Sequence, residues 1–244
     1  MITLIGTGHV FDIGARVREE IRIRLPQVVG IELDGPRYHA LRTKHKDRRG
    51  TPLVYRLLAD FQTRIANEYG VEAGDEMLAA SEEAKALNVP LALIDKDAQQ
   101  TFVRLRKEMR FGEKARLVGS AVVGLLPILP GKSIEKQVQE MQEDYTAYFV
   151  EMEKRFPTLK RVLLDERNEH MARALQDLAE RNERVVAVMG DGHVDGVQAL
   201  LAGRGLPVET VRLKELRAKA AAAQGNATAT LTMTIEGDPP PPRD

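Results

Sequence analysis

The feature that most constrains this chain is a pattern written twice, Leu4-Ile5-Gly6-Thr7-Gly8-His9-Val10 near the start and Val188-Met189-Gly190-Asp191-Gly192-His193-Val194 near the end. Both copies read G-x-G-H-V, both follow an apolar β-type run, and both soon reach an aspartate, Asp12 or Asp195, placed to cap a helix. The pattern therefore reads as a strand, a tight turn and a helix start. Glycines let the backbone bend sharply, and the imidazole is left at the mouth of the turn, where an open α/β sheet places its ligand crevice. Two such turns can bring two histidines together. Taken singly, each histidine reads equally well as a capping or packed turn residue.

The intervening chain alternates strand and helix patterns. Ile13, Val17, Ile21 and Leu25 recur every four residues, an amphipathic helix that Pro26 terminates. Val28 to Asp34 and Leu91 to Asp97 are apolar runs ending in acids, as expected of buried parallel strands whose polar residues emerge at the C-terminal edge. Arg184 to Met189 is the strand before the second motif, and Val208 to Leu213 reads as a last strand. Between the third strand and the second motif the pattern is helical almost throughout, from Thr101 to Phe156 and again after Pro157, with a polar block at Asp165 to Met171. The fold class is α/β: one domain with a mostly parallel sheet flanked by helices, carrying a helical insertion. The domain is expected over residues 1–215. Residues 216–244 read as an appended, partly disordered tail with Ala-rich, Thr-alternating and Pro-rich stretches. A rival reading has Ala227 to Ile235 pairing as an edge strand with a second copy, giving a homodimer.

Bulk properties narrow the chemistry. Lys+Arg and Asp+Glu are both 36, so the charge balance offers no argument for nucleic-acid binding. Cysteine is absent, which excludes disulfides, thiolate metal sites and a cysteine nucleophile and leaves His, Asp and Glu as metal ligands. No basic segment precedes an apolar run at the N-terminus, and the most apolar stretch, Leu117 to Leu129, is too short to span a bilayer and reads as a buried helix and turn. A cytoplasmic protein without a membrane span is the expectation.

Two neutral imidazoles and one carboxylate make an N,N,O donor set suited to a divalent ion such as Mn, Co or Zn, with positions left for water and substrate. His9 and His193 supply the nitrogens, and Glu32 is the chosen carboxylate. Asp95 and Asp191 are secondary candidates. Such an ion lowers the pKa of bound water and polarises a carbonyl, which hydrolysis of an amide or ester requires. Arg167 can anchor a substrate carboxylate or stabilise an oxyanion, with Asn168 donating a hydrogen bond. Each has a plainer reading. Glu32 can be a strand-end acid paired with a loop lysine, and Arg167 and Asn168 can belong to a polar network between helices. His39 and His45 lie in a polar, basic region and are read as solvent-facing, while His170, two positions after Asn168 on a helix, points away from it.

Taken in order, Gly6 to Val10, Val29 to Asp34 with Arg37 and Leu41, Gly74 to Met77, Leu93 to Asp97 with Thr101 and Arg104, Glu166 to Ala172, and Gly190 to Val194 resemble the TraB/PrgY family over roughly residues 1–213. That family is similar to the Tiki and GumN proteins, in which two G-x-x-H motifs, a Glu and an Arg-Asn pair mark a proposed metalloprotease site. The resemblance maps this site onto His9, Glu32, Arg167, Asn168 and His193, with a peptide as substrate. The wider group resembles erythromycin esterase and ChaN proteins in fold. It also implies an alternative, since PrgY is associated with pheromone shutdown: a regulator that sequesters a peptide without cleaving it. Gly8 and Gly192 or Asp191 stand where the family commonly has Ala, and Lys96 where it usually has Arg. Fold analogy alone does not fix the reaction.

Overall fold

The computed structural model describes residues 1–8, 13–43, 74–116 and 154–219. His9, Asp12, His45, the apolar stretch Leu117 to Leu129 and the tail beyond residue 219 lie outside the described residues. In chain order the elements are β1 (Ile2–Thr7), α1 (Gly14–Ile23), β2 (Val28–Ile31), α2 (Gly35–Thr43), α3 (Asp75–Ala86), β3 (Leu91–Leu93), α4 (Ala98–Glu108), α5 (Pro157–Lys160), a π-helical segment (Arg161–Asp165), α6 (Glu166–Ala179), β4 (Val185–Gly190), α7 (Asp191–Gly203) and β5 (Val208–Val211).

Among the described residues, those up to 95 and from 171 to 219 form one compact unit, and those between 96 and 170 a second. In the first, the described strands make a five-stranded sheet in the order β3-β2-β4-β1-β5. Every pairing is parallel. The inner strands β2, β4 and β1 are buried on both faces, which is why they read as continuous apolar runs rather than alternating ones. The two-residue period still sorts them. Ile2, Leu4, Val28, Val185, Ala187 and Met189 face Met171, Ala172 and Leu175 of α6 and Val194, Val197 and Leu201 of α7. Ile5, Val29, Ile31, Val186 and Val188 face Val17 and Ile21 of α1 and Met77, Ala80 and Ala84 of α3. An α/β/α sandwich results, the α/β class that the alternation of patterns implies.

Helix ends follow local chemistry. After α1, Leu25 takes φ 45, a left-handed conformation, and Pro26 behind it prevents the helix from continuing. After α3, Asn88 takes φ 54, the left-handed cap that asparagine tolerates better than other non-glycine residues, with Pro90 ensuring that the helix stops. Asp97 caps α4 by accepting the Gln100 N–H at 2.8 Å.

Two strands end sooner than their apolar runs suggest. β2 stops at Ile31 and β3 at Leu93, so Glu32, Asp34 and Asp95 lie just beyond the strands. The Leu33 N–H turns back onto the Ile31 carbonyl at 2.8 Å, a tight turn that ends the two-residue alternation of the strand before Asp34.

The second unit corresponds to the helical insertion. It packs Leu105 and Met109 against Val162, with Leu159 and Leu163 beside them. Buried Glu113 accepts the Thr158 N–H at 2.9 Å and its hydroxyl at 2.7 Å, satisfying the first turn of α5. No described helix is long and apolar enough to cross a membrane.

Candidate functional site

β1 and β4 are neighbours in the sheet, with Thr7 aligned to Gly190. The helices that follow them lie on opposite faces, α1 on one and α7 on the other. A crevice opens at such a point in a parallel sheet, outside the C-terminal strand ends. Both copies of the repeated motif meet this edge, although His9 itself lies outside the described residues.

The second copy differs from the expected turn. α7 begins at Asp191, with Gly190 as N-cap, so Gly192 and His193 already belong to the first helical turn and Asp195 sits inside the helix rather than capping it. Gly190 has φ −58, so no left-handed bend explains its glycine. Gly6 is explained by space. A Cβ there would stand 2.2 Å from Asp191 Oδ1, so a larger residue would force the Asp191 side chain to shift.

His193 and Glu32 come together. Glu32 follows β2, its N–H bonded to the Val188 carbonyl at 3.0 Å. Its Oε2 accepts the Gly190 N–H at 2.6 Å, and its Oε1 stands 3.4 Å from His193 Nε2. Both side chains are more than nine-tenths buried. The backbone N–H holds one carboxylate oxygen and turns the other to the imidazole, which burial alone would not do. The pair suits a metal as neighbouring N and O donors: its 3.4 Å separation matches the ~3.4 Å edge of a tetrahedral shell with bonds of about 2.0–2.1 Å. Among the described residues no group of three or more His, Asp or Glu gathers into a metal set.

The secondary candidates have other partners. Asp95 accepts from Arg37 Nη2, while Arg37 Nε donates to Asp34 Oδ2 at 2.9 Å. Asp34 also caps α2, accepting the Arg37 N–H at 2.8 Å. Arg37 thus bridges two buried acids at the ends of β2 and β3. Asp191 receives Arg212 Nε and Nη2 at 3.0 and 2.9 Å and the Leu213 N–H at 3.0 Å. The hydrogen bond to Asp191 outweighs burial, and with Asp195 it raises the Arg212 pKa above its usual value. Arg212 carried no local sign of this role, because its partners lie 21 and 17 positions earlier in the chain.

Arg167 and Asn168 lie in the first turn of α6, in the second unit. A widened turn precedes them: the Glu166 N–H reaches the Arg161 carbonyl, five residues back. Such π-turns are often found at functional sites. Arg167 Nη1 donates to the Leu163 carbonyl at 3.3 Å, and Asn168 is buried. Glu166, their neighbour, is ringed by Arg161 at 3.1 Å, Arg104 at 3.2 Å and Lys96 at 3.4 Å. His39 is exposed, as its surroundings suggested, and His170 is exposed as well.

The model of the TraB/PrgY/gumN family matches residues 1–210. The chain belongs to this family. An uncharacterised protein of Methanocaldococcus jannaschii is 31% identical over 216 residues, which cover 80% of this chain and 52% of the relative. The chain thus spans about half the length of that curated relative. Within the TraB/PrgY/gumN match fall His9, Glu32, Arg167, Asn168 and His193.

Proposed function

We propose that this member of the TraB/PrgY/gumN family is a metal-dependent hydrolase of peptide or amide bonds. The observation that carries the reading is the buried pair of His193 Nε2 and Glu32 Oε1, set beside the topological switch of the sheet. His9, in the first copy of the motif, is the proposed third donor. A bound Mn, Co or Zn ion would supply an activated water and a polarised carbonyl. The chain's own contribution is orientation and dryness. The Gly190 N–H fixes the Glu32 carboxylate, and burial keeps both donors from bulk water. Arg167 and Asn168 are proposed to act on substrate rather than metal, because a guanidinium offers no lone pair to an ion.

Calorimetry of the metal-stripped chain with each ion, followed by mass spectrometry of a digested peptide library, tests this reading. Saturable binding near one equivalent, with cleavage that His193→Ala and Glu32→Gln abolish, is the expected result. Peptide binding without cleavage would shift the assignment to sequestration. Absence of metal binding would remove the hydrolase reading.

A further inference from the structure

The Asp191 carboxylate belongs to the chain just after β4, Gly6 to β1, and Arg212 to the chain just after β5. In the sheet these strands run β4-β1-β5, so β1 lies between the two ends of this contact. Asp191 Oδ1 approaches Gly6 so closely that a Cβ there would clash at 2.2 Å. The same carboxylate is gripped beyond β1 by two guanidinium nitrogens at 2.9 and 3.0 Å and by the Leu213 N–H at 3.0 Å. Arg212 reaches further along the same helix to Asp195 through Nη1. Asp191 and Asp195 are the first and fifth residues of α7, and His193 is the third.

We propose that Asp191 and Arg212 form a strap across β1, with Gly6 as the gap it passes through, and that Arg212 is a positioning residue which aims His193 at Glu32. This gives the repeated motif an asymmetric purpose. The first glycine of the first copy makes room for the variable residue of the second. A two-point guanidinium clamp sets direction as well as distance, and a lysine ammonium at the same place cannot. Because it grips the helix on both sides of His193, it fixes the rotation of the first turn of α7. The strap deepens the metal reading above and takes its functional meaning from it, but its structural part can be tested without any metal.

The test uses the full chain carrying histidine labelled at the ring Cε1, with the His193 resonance assigned by its loss in His193→Gln. Arg212→Lys keeps the charge and removes the two-point grip. It should move or split the His193 resonance while those of His39 and His170 stay in place. Gly6→Ala should disturb the same resonance, and Asp191→Ala on that background should recover most of the lost melting temperature without restoring the resonance. Since Gly6→Ala alone risks misfolding, Arg212→Lys and the double variant decide the matter. An unchanged His193 resonance in Arg212→Lys, or strictly additive melting shifts in the double variant, would overturn the strap. Co titration then reads its functional side: Arg212→Lys should weaken binding by about 10-fold or more, in the range of outer partners of metal ligands. If the parent chain takes up no Co, the metal reading fails, while the resonance still decides the strap.

Discussion

Glu20 shows how much a single buried charge contributes in this chain. It is 2% exposed on α1, where Arg24 one turn later and Lys219 Nζ at 2.6 Å both donate to it. Burial by itself would raise its pKa, but the hydrogen bonds from Lys219 and Arg24, helped by their charges, outweigh burial and lower it. A carboxyl whose pKa is lower folded than unfolded contributes stability that is present above the unfolded value, near ~4.3. That stability is lost as pH falls through the folded value. Glu20→Gln should therefore lower the melting temperature at pH 7 and flatten the upper part of the acid limb, read by calorimetric melts from pH 7 to 3. A parallel acid limb in parent and variant would count against it. Arg167→Ala, at the proposed substrate side, should leave metal affinity untouched. It should reduce kcat/KM by about 2 to 4 kcal/mol in transition-state stabilisation if it meets a developing oxyanion.

At the scale of elements, the sheet depends on helices that cover both its faces. Leu175 of α6 is fully buried among Met171, Val28 and Ile94 on the α6 and α7 face. Leu175→Ala should cost about 2 to 5 kcal/mol, from lost burial and the cavity left behind. Denaturant melts check this, and a shift in midpoint without a change in slope would show that the denatured state is unaltered. The first turn of α7 is where element and site coincide. Its N-terminal position favours negative charge, and Asp191 supplies it. The helix therefore starts one residue after β4 ends, with no connecting loop, and His193 inherits the precision of a helix rather than the latitude of a turn.

For the whole molecule, the proposed boundary of the domain can be placed by what is packed. Leu216 is fully buried with Val211 and Ile5, and Lys219 pairs with Glu20. A chain ending after residue 219 should keep its melting temperature within a few degrees, whereas one ending after 215 should melt lower because it loses both contacts. Light scattering of the 219-residue form tests the proposed homodimer. A change from dimer to monomer on truncation would assign the pairing to the region beyond.

The sequence by itself determined the class of fold. Strands buried on both faces must be apolar along their length, and helices must repeat at three or four residues, so the alternation and the helical insertion are legible in the sequence alone. It also drew attention to Glu32 and His193 as polar residues at the C-terminal ends of such strands, without showing what they would meet. Tertiary structure alone decided their partners. The Gly190 N–H to Glu32 contact spans 158 positions, and whether β2 lies beside β4 or elsewhere in the sheet is not written in either strand. Strand order likewise decided the meaning of Gly6. As a sequence residue it reads as the site of a sharp bend, but in the sheet it leaves room for the Asp191 carboxylate that Arg212 holds. Periodicity records which face of an element is buried, and not which element will cover it; that depends on packing among segments far apart in the chain.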